Sequence, residues 1–161
     1  MADLKTTYLG LPLNNPLIAG SSGFTDSIDK LKLIEEQGAG AVVLKSLFEE
    51  EIMHEMEETF TKMTADNFLY PETYNHFEYE DIEDTLGNYI KLISDAKRDL
   101  SIPVIASVNC ITSQKWTHFA KELEDAGADA LELNAFVLPS DFNRSAKDNE
   151  QVYFDIVKEV Q

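Results

Sequence analysis

The chain has 161 residues, 43% of them hydrophobic, which is enough for one domain with its own apolar core. Thirty acidic residues against thirteen basic give a formal charge of −17. A field of that sign repels nucleic acid and anionic membranes, so neither is expected as a partner. The single Cys110 excludes an intrachain disulfide framework and fits a reducing compartment. The first residues lack the basic segment and apolar run of a leader, and no apolar stretch approaches membrane-spanning length, so a cytoplasmic protein is expected.

In chain order, Thr6 to Leu13 reads as a short hairpin around Gly10. A strand follows near 17–19, opened by Pro16, where a missing ladder donor is tolerated. Gly20-Ser21-Ser22-Gly23 is a small polar loop, after which Thr25 or Asp26 can cap a helix with Ile28, Leu31 and Ile34 on one face. Gly38 stops that helix, and a strand at 41–44 ends in Lys45-Ser46.

Residues 47–80 read as an insertion. Its first part, Glu49 to Glu58, carries six Glu and reads as a short acidic helix with a solvated face, since no ligand spacing for a metal is present. Its second part, 67–77, is aromatic and polar without a period: either a functional loop or one that packs its aromatics on the wall of the fold.

A helix over about 82–97 presents Ile82, Leu86, Tyr89, Ile93 and Ala96 on one face. The strand at 104–108 ends at Asn109-Cys110. The next helix, capped by Thr112 or Ser113, carries Trp116, Phe119, Ala120 and Leu123, with Trp116 read as core and His118 as surface. A strand at 130–133 is tipped by Asn134, residues 135–147 form a loop, and a last helix starts near Asp148 with Val152, Tyr153, Ile156, Val157 and Val160.

The chain repeats itself. Gly38-Ala39-Gly40-Ala41-Val42-Val43-Leu44-Lys45 has a near copy in Gly127-Ala128-Asp129-Ala130-Leu131-Glu132-Leu133-Asn134, and Asn15-Pro16-Leu17-Ile18-Ala19-Gly20-Ser21 resembles Ile102-Pro103-Val104-Ile105-Ala106-Ser107. Strand, helix, glycine turn and strand, done twice, argue for a parallel α/β sheet. The dinucleotide fingerprint G-x-G-x-x-G is absent after the first strand. Four strand–helix units are half of an eight-fold barrel, so the expected fold is α/β of the (β/α)8 TIM-barrel type with only the first four β/α units present, and residues 1–161 are expected to form its N-terminal half.

In such a fold the chemistry sits at the C-terminal strand ends. Those ends carry Gly20, Ser21, Ser22, Lys45, Ser46, Ser107, Asn109 and Asn134: one cation, two amides and several hydroxyls, with neither His nor paired carboxylates. Such a set suits a large polar electron-accepting ring: glycine admits a flat ring, the amides and hydroxyls bond its edge, and lysine stabilises a reduced anionic flavin. A lysine at a strand end is also compatible with a Schiff-base nucleophile or an ion-paired structural residue.

The same residues carry a family resemblance. Asn15-Pro16-Leu17-Ile18-Ala19-Gly20-Ser21, Val43-Leu44-Lys45-Ser46, Ile105-Ala106-Ser107-Val108-Asn109 and Leu131-Glu132-Leu133-Asn134 resemble, in order and about in spacing, successive motifs of the dihydroorotate dehydrogenase family. The stretches Ser46-Leu47-Phe48-Glu49-Glu50 and Ala130-Leu131-Glu132-Leu133-Asn134 bring the chain nearest to the dihydroorotate dehydrogenase-like branch. That resemblance implies an FMN-containing barrel oxidising dihydroorotate to orotate in pyrimidine biosynthesis. It implies flavin contacts from Gly20, Ser21, Lys45, Ser46, Ser107, Asn109 and Asn134, catalytic work by Lys45, and substrate contacts from Asn134 and, standing in for an Asn-rich motif, Asn75. The segment where the family places a Cys or Ser base reads Asn134-Ala135-Phe136-Val137-Leu138-Pro139-Ser140-Asp141 here, with neither residue before Pro139, so the base is unassigned. Open strand edges imply a homodimer or completion by a second half barrel. The alternative from another class is a non-catalytic half-barrel module that assembles with another chain.

Overall fold

The computed structural model of the chain describes residues 2–67, 84–109, 120–136 and 138–160. Its frame is set by two helix stops of the same construction. Helix α1 (Ile28–Glu36) ends at Gly38, whose φ is 91°, and α4, helical at 120–125, ends at Gly127, whose φ is 98°. At each stop the glycine N–H bonds the carbonyl three residues back, Glu35 or Glu124, and the following alanine N–H bonds the carbonyl five back, Ile34 or Leu123. This paired pattern needs a residue in the left-handed region, which glycine adopts without a Cβ clash.

Each stop throws the chain into a buried parallel strand. The described sheet has five strands, β3 (Ile18–Ala19), β4 (Ala41–Val43), β5 (Leu47–Phe48), β6 (Val104–Asn109) and β7 (Ala130–Leu133), all parallel. β3 pairs with β4; β6 has β4 and then β5 along one side and β7 along the other. Order in space thus follows order in the chain, with no reversal of direction. The hairpin of β1 (Thr6–Tyr8) and β2 (Leu11–Leu13) forms a separate antiparallel pair.

Alternation along the strands sorts the two faces. Val42, Leu44, Val104, Ala106, Val108, Leu131 and Leu133 belong to one apolar cluster together with Leu31 of α1, Ile52 of α2 (Glu49–Asn67), Tyr89, Ile93 and Ala96 of α3 (Thr85–Asp99), Leu123 of α4 and Ile156 of α5 (Ala146–Val160). The helices thus share one face of the sheet, as in a singly wound α/β fold; a doubly wound sheet carries helices on both.

Several elements differ from the sequence reading for local reasons. The region from residue 47 is regular at its start: Leu47–Phe48 is a strand against β6, and the acidic helix runs to Asn67 rather than Glu58. Ser27, not Thr25 or Asp26, occupies the N-cap of α1, and its side chain makes no cap bond. Thr25 is buried and ties the preceding loop, its N–H and hydroxyl donating to the Ser22 carbonyl while the Ser22 N–H donates to its hydroxyl. Asp26 pairs with Lys30. α3 starts at Thr85, where Asp84 accepts from the Gly87 N–H at 2.8 Å. α5 starts two residues before Asp148 because Ser145 and Asp148 bond reciprocally, side chain to backbone in both directions, as a capping box. Asn75, the 68–77 part of the aromatic stretch, Ile82, Cys110, Thr112, Ser113, Trp116, His118 and Phe119 lie outside the described residues.

Candidate functional site

The C-terminal ends of β3, β4 and β7 surround a cleft of about 660 Å³, lined by Ser21, Ser22, Gly23, Lys45, Ser46, Phe48, Glu132, Leu133 and Asn134. That volume lies within the range of about 300–1,000 Å³ common for small-molecule sites.

Two local devices build it. On the β3 side, the knot at Thr25 and a bond from Lys30 Nζ to the Gly23 carbonyl (2.8 Å) fix the loop that presents Ser21 to Gly23. In the centre, the strand that begins as β4 departs from β6 after Leu44, whose N–H still bonds the Ile105 carbonyl, and rejoins it as β5 beyond Lys45-Ser46. The gap leaves the Ser107 peptide without a strand partner on that side, and Tyr89 fills it. Its hydroxyl donates to the Ser107 carbonyl at 3.0 Å and accepts from the Ser107 N–H at 2.9 Å. A buried phenol needs such partners. Burial pushes the Tyr89 phenol up to about 12, with the Glu132 charge adding to the rise, so it stays neutral across the physiological range. The departure exposes Lys45 at the cleft, where it makes no ion pair among the described residues.

A row of hydroxyls links the cleft's two sides. Ser21 Oγ and Ser46 Oγ are 3.1 Å apart, Ser46 Oγ and Ser107 Oγ 2.7 Å, and Ser107 Oγ donates to Glu132 Oε1 at 2.6 Å. The Ser46 N–H also donates to Ser21 Oγ at 3.0 Å. Ser107 is fully buried and Ser46 nearly so.

Of the residues singled out from sequence, Ser21, Lys45, Ser46 and Asn134 line the cleft, and Ser107 lies beneath it, bonded to Ser46. Gly20 and Asn109 are not among the lining residues, although a Cβ on Gly20 would meet nothing within 4 Å, so the space before it is open. Ser140 lies in an exposed loop away from the cleft. Glu132 and Tyr89 were not recognised as site residues. The signal for Glu132 was present: a lone charge between Leu131 and Leu133 in a strand must face away from the apolar side that they share. Tyr89 reads as one more apolar position on its helix, and nothing local announces the sheet gap that its hydroxyl fills.

The donor set fits the ring end of FMN: a cation, an amide, hydroxyls and an open approach at the glycine loop. Among the described residues, Lys45 is the one basic side chain lining the cleft.

Comparison with known proteins agrees with the motifs. The chain is 28% identical over 141 residues to the catalytic subunit of dihydroorotate dehydrogenase B (NAD(+)) from Thermoplasma volcanium, and 29% identical over 142 residues to that from Thermoplasma acidophilum. Each alignment covers 83% of this chain and 42% of the relative, so the chain spans less than half the length of these curated relatives. No family model matches the chain.

Proposed function

Because the chain is related to the dihydroorotate dehydrogenases, we propose that it is the N-terminal part of an FMN-dependent (β/α) barrel oxidoreductase that dehydrogenates a CH–CH bond of a small cyclic substrate, dihydroorotate being the first candidate. The observation that carries this reading is the convergence of Ser21, Lys45, Ser46 and Asn134 on one cleft at the C-terminal edge of a parallel sheet. These are positions that the family resemblance assigns to flavin and substrate contacts, and the C-terminal strand ends are where barrels keep their chemistry.

Bound FMN would supply the hydride acceptor. The chain's own residues do the rest. The Lys45 ammonium supplies positive charge where negative charge develops, and its worth rises as the cleft is closed to water. Ser21 and Asn134 bond the polar edges of what is bound and fix its orientation. Tyr89 holds the strand departure that puts Lys45 and Ser46 at the surface of the cleft.

The test is a visible absorbance spectrum after adding and removing excess FMN, followed by anaerobic dihydroorotate. Retained flavin that bleaches with dihydroorotate supports the reading in full. Retained flavin that does not bleach keeps the cofactor and rejects the substrate. A chain that never perturbs the flavin spectrum rejects both.

A second reading has its own support. Among the described residues, β3 and β7 each lack a strand partner on their outer side and one cation lines the cleft. Both features suit a half barrel that a second copy or another chain completes. The relatives are named as catalytic subunits, which for those proteins indicates a partner chain. A sedimentation experiment separates the two: a defined oligomer without flavin favours the interaction module, and a flavin-bearing species of any size favours the enzyme.

A further inference from the structure

The row of hydroxyls has only one arrangement of protons while Glu132 is ionised. Each serine has a single hydroxyl proton. Ser107 spends its proton on Glu132 Oε1, so the 2.7 Å contact must be Ser46 donating to Ser107. Ser46 then has none left, so the 3.1 Å contact must be Ser21 donating to Ser46. Ser21 Oγ also accepts the Ser46 N–H, which leaves one lone pair, and Ser21 lines the cleft. An ionised Glu132 therefore makes the β3 side of the cleft an acceptor. A proton on Glu132 Oε1 lets every bond reverse and makes the same oxygen a donor. A row that reverses on gaining one proton is a conduit for that proton.

We propose that Glu132 is the terminal acceptor of the proton released in the dehydrogenation, reached from the β3 side of the cleft through the hydroxyls of Ser21, Ser46 and Ser107. This rests on the dehydrogenase reading and supplies the base that the segment after Asn134 lacks. In the step, a substrate C–H bond breaks and its proton passes to Ser21 Oγ. The Ser21 proton moves to Ser46, the Ser46 proton to Ser107, and the Ser107 proton to Glu132 Oε1. The electron pair left on carbon forms the new double bond as the neighbouring carbon releases a hydride, for which a bound FMN would be the acceptor. The substrate thus loses two electrons and two hydrogens, one as that hydride and one as the proton that makes Glu132 a carboxylic acid. Glu132 is exposed, so it can return its proton to water. Among the described residues, the charged and titratable groups beside the row are Lys45 at the strand departure and the neutral Tyr89 phenol from α3, bonded to the Ser107 peptide.

Carbon NMR of the full chain, labelled at glutamate carboxyl and serine β carbons, tests the conduit without any cofactor. In the unsubstituted chain the Ser21 β carbon should shift with the same pH midpoint as the Glu132 carboxyl. In Ser46→Ala the Ser21 signal should go flat while Glu132 still titrates. A Ser21 signal that ignores Glu132, or that follows it equally in Ser46→Ala, overturns the proposal. Glu132→Gln tests the chemistry: its amide oxygen still accepts from Ser107 but cannot take the proton. With FMN loaded, it should keep the flavin and bleach with dihydroorotate at least ~10²-fold more slowly, the low end of what a general base contributes. Flavin retention with an unchanged bleaching rate overturns the role of Glu132. Failure of the unsubstituted chain to hold FMN counts against the dehydrogenase reading alone, and the carbon resonances then decide the conduit.

Discussion

The turn at Gly38 and the turn at Gly127 have the same hydrogen bonds and the same left-handed glycine, yet two residues later they part. The first has Gly40 and the second Asp129. A Cβ on Gly40 would lie 2.2 Å from the Asn15 carbonyl oxygen, because the segment leading to β3 crosses there; Asn15 Nδ2 bonds the Gly38 carbonyl and the Gly40 N–H bonds the Leu17 carbonyl. At the second turn the Asp129 N–H bonds the Val104 carbonyl in the matching way, but there the position carries a side chain. Asp129 instead reaches Lys97 Nζ at 2.6 Å and the Val104 N–H at 2.8 Å, tying β7's start to α3 and to β6. The strand ends differ as well. After the first turn the strand breaks away from β6 and delivers Lys45 and Ser46; after the second it runs straight and delivers Glu132 and Asn134. Equal turns set the frame, and the residues just beyond them decide whether a unit contributes a cation or a carboxylate.

Breaking the symmetry at its tightest point should cost most. Gly40→Ala forces backbone against backbone and is expected to lower stability by about 3 kcal/mol, whereas Asp129→Ala, at the matching position, should cost about 1 kcal/mol, both read from urea midpoints. An equal loss at the two sites would remove the stated difference between the turns.

Tyr89→Phe leaves the Ser107 N–H and carbonyl without their partner in the sheet gap and should cost about 2–3 kcal/mol. The phenol also carries a pH dependence. Its folded value of about 12 lies above the ordinary 10.0, so this stabilisation is complete below pH 10 and is lost as pH rises toward 12, amounting to roughly 2–3 kcal/mol. Urea midpoints taken across that window should fall steeply in the unsubstituted chain and flatten in Tyr89→Phe; parallel curves would mean that another group governs alkaline unfolding.

The smallest effect is expected at a helix start, outside the compared turns. Ser145→Ala removes one half of the capping box at α5 and should cost about 0.5–1 kcal/mol. It should leave flavin binding untouched, which makes it the control for the site variants.

Much of this was legible in the sequence. Glycine stops, proline-opened strands and small polar strand ends write the repeat directly, because backbone geometry restricts which residues can sit there. The same logic singles out Ser21, Lys45, Ser46 and Asn134, which line one cleft. What was not legible depends on partners far along the chain. The break between β4 and β5 exists because Lys45 and Ser46 leave β6, and its repair by Tyr89 joins positions 18 residues apart. Ser46 and Ser107 are 61 residues apart, so no local pattern announces their bond. The run of Glu marks the acidic helix only over Glu49 to Glu58, and α2 continues to Asn67.

The most direct measurement of the central claim is a titration of FMN fluorescence quenching by the purified chain, run beside Lys45→Met. The account predicts saturable quenching that weakens at least ~10-fold in the variant, the loss expected when a charge-assisted hydrogen bond to the bound ring is removed. No saturable quenching, or equal affinity for both chains, would contradict it.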